Sequence, residues 1–155
     1  MLKSLAIAAL VLISGIQCAT ATEAALELQT KLVESLHGRI ALDLTIRNTQ
    51  SIPVELNKAD LPWGTRHALM LVAVTNDTEA KRVDEALFID DPGPGQVVLK
   101  PLGELTGSVD LLRRFPTLLE LLKTHEIIVF WSYRPQQTNG RELQQISGAV
   151  ILKKL

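Results

Sequence analysis

Apolar and polar residues alternate one for one at two places early in the chain, and this period of two constrains the fold more than any other feature. Leu26, Leu28, Thr30 and Leu32 alternate with Glu27, Gln29 and Lys31. Ile40, Leu42, Leu44 and Ile46 alternate with Ala41, Asp43, Thr45 and Arg47. A helix would spread this pattern around its circumference, whereas an extended chain places every second side chain on one face. Both stretches therefore read as half-buried antiparallel strands with one wet face, and His37-Gly38 reads as the turn between them.

Further extended segments follow at short intervals. Residues 54–57 after Pro53, 67–74, 96–100, 105–111 and 147–152 read as strands, and 81–88 as the hairpin partner of 67–74. The stretch 127–133 is the strongest: Ile127, Val129, Trp131 and Tyr133 share one face, Ile128 and Phe130 the other. Both faces are apolar, so it is expected to be a central strand. Lys153 and Lys154 would protect the last strand from edge pairing. One short helix is expected over 116–123, with Pro116 in the first helical position and Leu118, Leu119, Leu121 and Leu122 behind it. Connections are short and no βαβ alternation occurs, so the expected fold is all-β in the main, an antiparallel β-sandwich. The turn Leu99-Lys100-Pro101-Leu102-Gly103, an extended run, a crossover and a strong central strand resemble the later half of immunoglobulin-like or fibronectin-III-like domains. The resemblance is one of architecture over about the last 60 residues. It implies no function, because such folds host many.

The first residues read as a secretory signal peptide. Lys3 supplies a positive start, 5–16 is an apolar run broken only by Ser14 and Gly15, and Ala19-Thr20-Ala21 is a cleavage site of small residues. Twelve helical residues rise only about 18 Å, short of a membrane span. Cleavage after Ala21 removes 21 of the 155 residues and leaves 134, enough for a single domain over 22–155. Lipidation at Cys18 fits poorly, since Gln17 precedes it and Gly15 stands at −3. Cys18 is the one cysteine and falls inside the signal, so the mature chain is expected to be free of thiol chemistry and to be exported, to a periplasm first and extracellularly second. No later run is apolar enough to span a membrane. Sixteen basic against seventeen acidic residues leave no field for nucleic acid. With 46% apolar residues, the chain is not disordered.

Signs of catalysis are scarce. His37, His67 and His125 lack the short spacing of zinc ligands. No Gly-x-Ser-x-Gly elbow and no phosphate loop is present. Asp90-Asp91-Pro92-Gly93-Pro94-Gly95 places two carboxylates beside a stiff loop, but Ca²⁺ takes about six to eight oxygens and the Asp-x-Asp-x-Asp-Gly spacing is absent. A metal-dependent enzyme built on Asp84, Asp90 and Asp91 is therefore a remote reading, and no cofactor is expected. The loops 58–66, 89–96 and 134–141 are the better candidates, as elements that recognise a second envelope or secreted protein. Trp63, Arg66, Asp90, Asp91 and Arg134 are the residues expected to make that contact. Trp63 has two readings besides: a plug at the end of the core, or a platform for a small ligand or sugar. A proline-bearing loop would also suit presentation to a protease cleft.

Overall fold

The computed structural model describes residues 25–34, 38–64, 68–86 and 95–155. The expected signal segment, Cys18, His37, Arg66, His67, Asp90 and Asp91 lie outside those residues. The fold is mostly antiparallel β-sheet and forms no closed barrel.

The alternating stretches become β1 (Leu26–Glu34) and β2 (Ile40–Asn48), paired antiparallel with Leu28 opposite Ile46. Strand β6 (Glu104–Asp110) pairs with the other side of β2, giving the order β1-β2-β6. Between them in sequence lie β3 (Val54–Asn57), β4 (Leu69–Thr75) and β5 (Gln96–Leu99). Strands β3 and β5 form a two-stranded sheet. Strand β7 (Ile127–Tyr133) lies between β4 and β8 (Ile146–Leu152), so it is central, as its composition indicates.

The inward faces share one core. Leu42, Leu44 and Ile46 from β2 meet Leu69, Leu71 and Ala73 from β4 and Ile127, Val129 and Tyr133 from β7 in the same cluster. Asn48 and Tyr133, polar groups trapped at its margins, are satisfied. The Asn48 side chain donates to the carbonyls of Ile52, Leu99 and Lys100 and accepts from Gln50 N–H. It thereby fastens the end of β2 to the turn after β5. Tyr133 Oη donates to Asp60 O at 3.1 Å. Burial, reinforced by the charge of Asp60, pushes the Tyr133 phenol far above its ordinary pKa.

Two indoles depend on glycines. A Cβ on Gly107 of β6 would lie 2.0 Å from Trp63 Cδ2, and one on Gly148 of β8 would lie 2.5 Å from Trp131 Cζ2. Each ring lies directly on a strand backbone, where only glycine leaves room.

The structure departs from expectation at two elements. The helix expected over 116–123 is present as α2 (Leu118–Leu122), and a further short helix, α1 (Leu111–Arg114), precedes it where the extended run was expected to reach residue 111. Asp110 ends β6 by accepting from Leu112 N–H and Arg113 N–H, an N-cap that starts α1 early. Pro116 bars Phe115 from helical geometry (φ −128°, ψ 85°) and precedes the Thr117 cap instead of opening the helix. Of the segment 81–88, expected as the hairpin partner of β4, residues 81–86 are described, and they pair with β4 only over 81–83. They touch β4 at one bridge, Val74 with Arg82, and through Val83 N–H to Ala73 O. The chain then turns away, because Glu85 pairs with Arg114 and Ala86 N–H donates to Arg114 O.

Candidate functional site

The outward faces of the two three-stranded sheets differ sharply in chemistry. On β1-β2-β6 the register lines up Glu27, Arg47 and Glu104, then Gln29, Thr45 and Thr106, then Lys31, Asp43 and Ser108. This is an ordinary solvated face. It carries a shallow groove of about 530 Å³ lined by polar side chains including Gln29, Asp43 and Thr106.

On β4-β7-β8 the rows are Met70, Ser132 and Ser147; Val72, Phe130 and Ala149; Val74, Ile128 and Ile151. None of these nine positions carries a charge. Met70 is 64% exposed, Phe130 48% and Ile151 47%. A hollow of about 490 Å³ lies over the first two rows. The apolar second face of β7 is therefore half open to solvent and has no covering layer among the described residues.

Polar networks border this face at both ends. At one end Lys153 Nζ donates to Glu126 Oε1 at 3.0 Å and Asn76 Nδ2 donates to Glu126 Oε2 at 3.0 Å. Those bonds, Lys153 first, hold the Glu126 carboxyl below its ordinary pKa. Beside it, desolvation pulls the Asp77 carboxyl upward. Bonds from Thr75 Oγ1, Ala80 N–H and Glu79 N–H, with the charge of His125 at 3.6 Å, outweigh that and lower it. At the other end Arg134 donates to Gln145 Oε1 at 3.1 Å, and Gln145 Nε2 donates to Ser132 Oγ at 2.7 Å.

Arg134 thus borders this face. Trp63 lies elsewhere: it is half-buried, packs on the core and covers Gly107, and its neighbours Leu61 and Pro62 are buried. The loop 134–141 is tied down at Thr138 N–H to Glu55 O and at the bridge between Leu56 and Gln137. The residues that sequence reasoning passed over are Met70, Phe130 and Ile151. The sequence signal nearest to them is the double-sided apolar pattern of β4, β7 and β8, which by itself does not tell a covered face from an open one. Among the described residues no three His, Cys, Asp or Glu side chains converge as a metal site. No helix there is long and apolar enough to cross a membrane.

No protein-family model matches the chain, and no curated protein does. Two solved structures are similar in chain path. A Bordetella pertussis protein assigned as ApaA is 16% identical, aligned over 83% of this chain and 90% of its own, with a TM-score of 0.40. A protein from Archaeoglobus fulgidus is 11% identical, aligned over 84% of this chain and 98% of its own, with a TM-score of 0.38. Likenesses this distant carry no functional argument.

Proposed function

We propose that this chain is an exported, non-catalytic binding module with an immunoglobulin- or fibronectin-III-like sandwich fold, which holds a second envelope or secreted protein. The observation that carries the reading is the uncharged face of Met70, Phe130 and Ile151, half open and edged by Glu126, Lys153, Gln145 and Arg134. The largest apolar patch of a typical monomer covers about 300–600 Å² and is often functional. A partner for this face presents apolar side chains at its centre and polar groups at its margin. Export rests on the signal-like residues 1–21.

The test uses the tagged full chain, purified as its host processes it, as bait in envelope extract, with mass spectrometry of the retained protein. Three baits are compared: the unmodified chain, Phe130→Ser on the apolar face, and Thr45→Ala on the polar face of β2. A protein retained in stoichiometric amount by the first and third baits, and lost with Phe130→Ser at unchanged melting temperature, supports the reading. No stoichiometric partner, or retention indifferent to Phe130, overturns it.

A further inference from the structure

Among the described residues, β8 has the least protected strand edge. The edge of β1 carries Glu27, Lys31 and Glu34, and that of β6 carries Glu104 and Asp110. The edge of β4 is partly covered, since Thr75 N–H donates to Lys81 O and Val83 N–H to Ala73 O. Strand β5 is four residues long, and β3 is bridged to Gln137. Strand β8 is seven residues, Ile-Ser-Gly-Ala-Val-Ile-Leu, with no charge and no proline. It pairs with β7 on one side, and no described strand pairs with its other side. Every second residue of such an edge presents N–H and C=O groups outward, a template for another strand. The lysines at 153 and 154 stand beyond its end, and Lys153 is engaged with Glu126.

The strand is also complementary to itself. Two copies run antiparallel about a two-fold axis at Ala149 place Gly148 opposite Val150, Ser147 opposite Ile151 and Ile146 opposite Leu152. Gly148 and Ser147 thus each face a β-branched residue, and Ala149 faces itself. The same register sets Lys153 against Gln145 rather than against a cation. No like charges meet at any position. A two-fold contact of this kind needs one patch that fits itself, and it closes without growing into a filament.

Beneath this edge the Trp131 indole lies on Gly148. In the paired register Val150 of a second copy stands opposite Gly148, within the ordinary cross-strand separation of about 5 Å, where the absent glycine side chain leaves it room.

We propose that β8 pairs edge to edge with β8 of a second copy, forming a dimer with a continuous six-stranded sheet, β4-β7-β8 followed by β8-β7-β4. The pairing uses the strand edge and leaves the outward face of Met70 and Phe130 open, so it stands or falls separately from the partner contact proposed above. The dimer would join two such faces into one elongated surface.

The test is sedimentation equilibrium of the full chain as processed, from about 1 to about 500 µM. Ala149 is exposed, so Ala149→Lys and Ala149→Glu are accommodated without disturbing the core. The unmodified chain should show a concentration-dependent dimer. Each variant alone should dimerise at least about tenfold more weakly, because like charges then face one another across the axis. An equimolar mixture of the two variants should recover the dimer as a Lys–Glu pair. In parallel, Ala149→Cys should be coupled to a covalent dimer by a short bis-maleimide, which keeps the test intact if either charged variant misfolds. A chain that stays monomeric throughout overturns the proposal. So does a dimer that both charged variants retain, or one that Phe130→Ser abolishes, since the contact would then lie elsewhere.

Discussion

Replacing Gly107 with alanine adds one methyl group and tests whether Trp63 is a structural plug. The new Cβ would stand 2.0, 2.3 and 2.5 Å from indole carbons Cδ2, Cε2 and Cε3. Carbon atoms pack at about 3.5–4.0 Å, so the ring must retreat by roughly 1.5 Å. It has little space to do so, because it packs against the core cluster. Overpacking of this kind costs about 1–3 kcal/mol. A smaller term opposes it: glycine to alanine at a compatible backbone position stabilises by about 0.4–1 kcal/mol through the unfolded chain. Gly107 is compatible, since it is not among the glycines with positive φ. The net cost is about 1–2 kcal/mol, and for a domain of this size that lowers the melting temperature by roughly 4–8 °C. The diagnostic is a change of sign. With Trp63→Ala in the background the obstacle is gone, and Gly107→Ala should then be neutral or stabilising by up to about 1 kcal/mol. Thermal unfolding followed by circular dichroism on the four proteins closes the cycle. A Gly107→Ala protein that melts higher than the parent with Trp63 in place refutes the placement of the indole on β6.

Two further perturbations address the polar fastenings. Arg114 is 7% exposed and pairs with Glu85, so Arg114→Met strands a partly buried carboxylate; a loss of about 2–4 kcal/mol is expected in urea unfolding. Asp77 and Glu126 both have lowered pKa values in the fold, so their contribution is complete above the unfolded carboxylate range and is lost as pH falls from that range through the lower folded values. Melting temperature should therefore decline from about pH 4.5 downward, and the decline should be shallower in the double variant Asp77→Asn, Glu126→Gln; an unchanged acid limb would dismiss the network as a source of stability.

Much of the sheet was legible because its signal is local. The alternation in β1 and β2 and the apolar run of β7 each arise from side chains that must face the core on every second residue, and pairing preserved them nearly residue for residue. The failures came where a single residue arbitrates between two locally plausible continuations. Asp110 reads as the polar position of a strand, yet its carboxylate captures two amides and starts a helix one residue later. Lys81 and Val83 read as a strand beside β4, and they begin to pair with it. The ion pair of Glu85 with Arg114 then draws the chain away, and that partner lies 29 positions further along.

The candidate site was illegible for a different reason, which is one of counting layers. A strand that is apolar on both faces ordinarily implies cover on both, and β7 alone cannot reveal that the second cover is missing. The answer lies in the remainder of the chain. Among the described residues the α-helices are four and five residues long, too short to shield a three-stranded sheet, and the second sheet already occupies the inner side. An apolar outward face on β4, β7 and β8 is then left without a partner among the described residues. The lattice of Met70, Val72, Phe130, Ile128 and Ile151 is unbroken by charge, while the equivalent lattice on β1-β2-β6 carries Glu27, Lys31, Asp43, Arg47 and Glu104. Composition alone cannot separate these sheets, because both contribute leucine, isoleucine and valine to the same core. Register does separate them: it assigns each side chain to one face, and only one of the two outward faces lacks the charges that make a wet surface inexpensive.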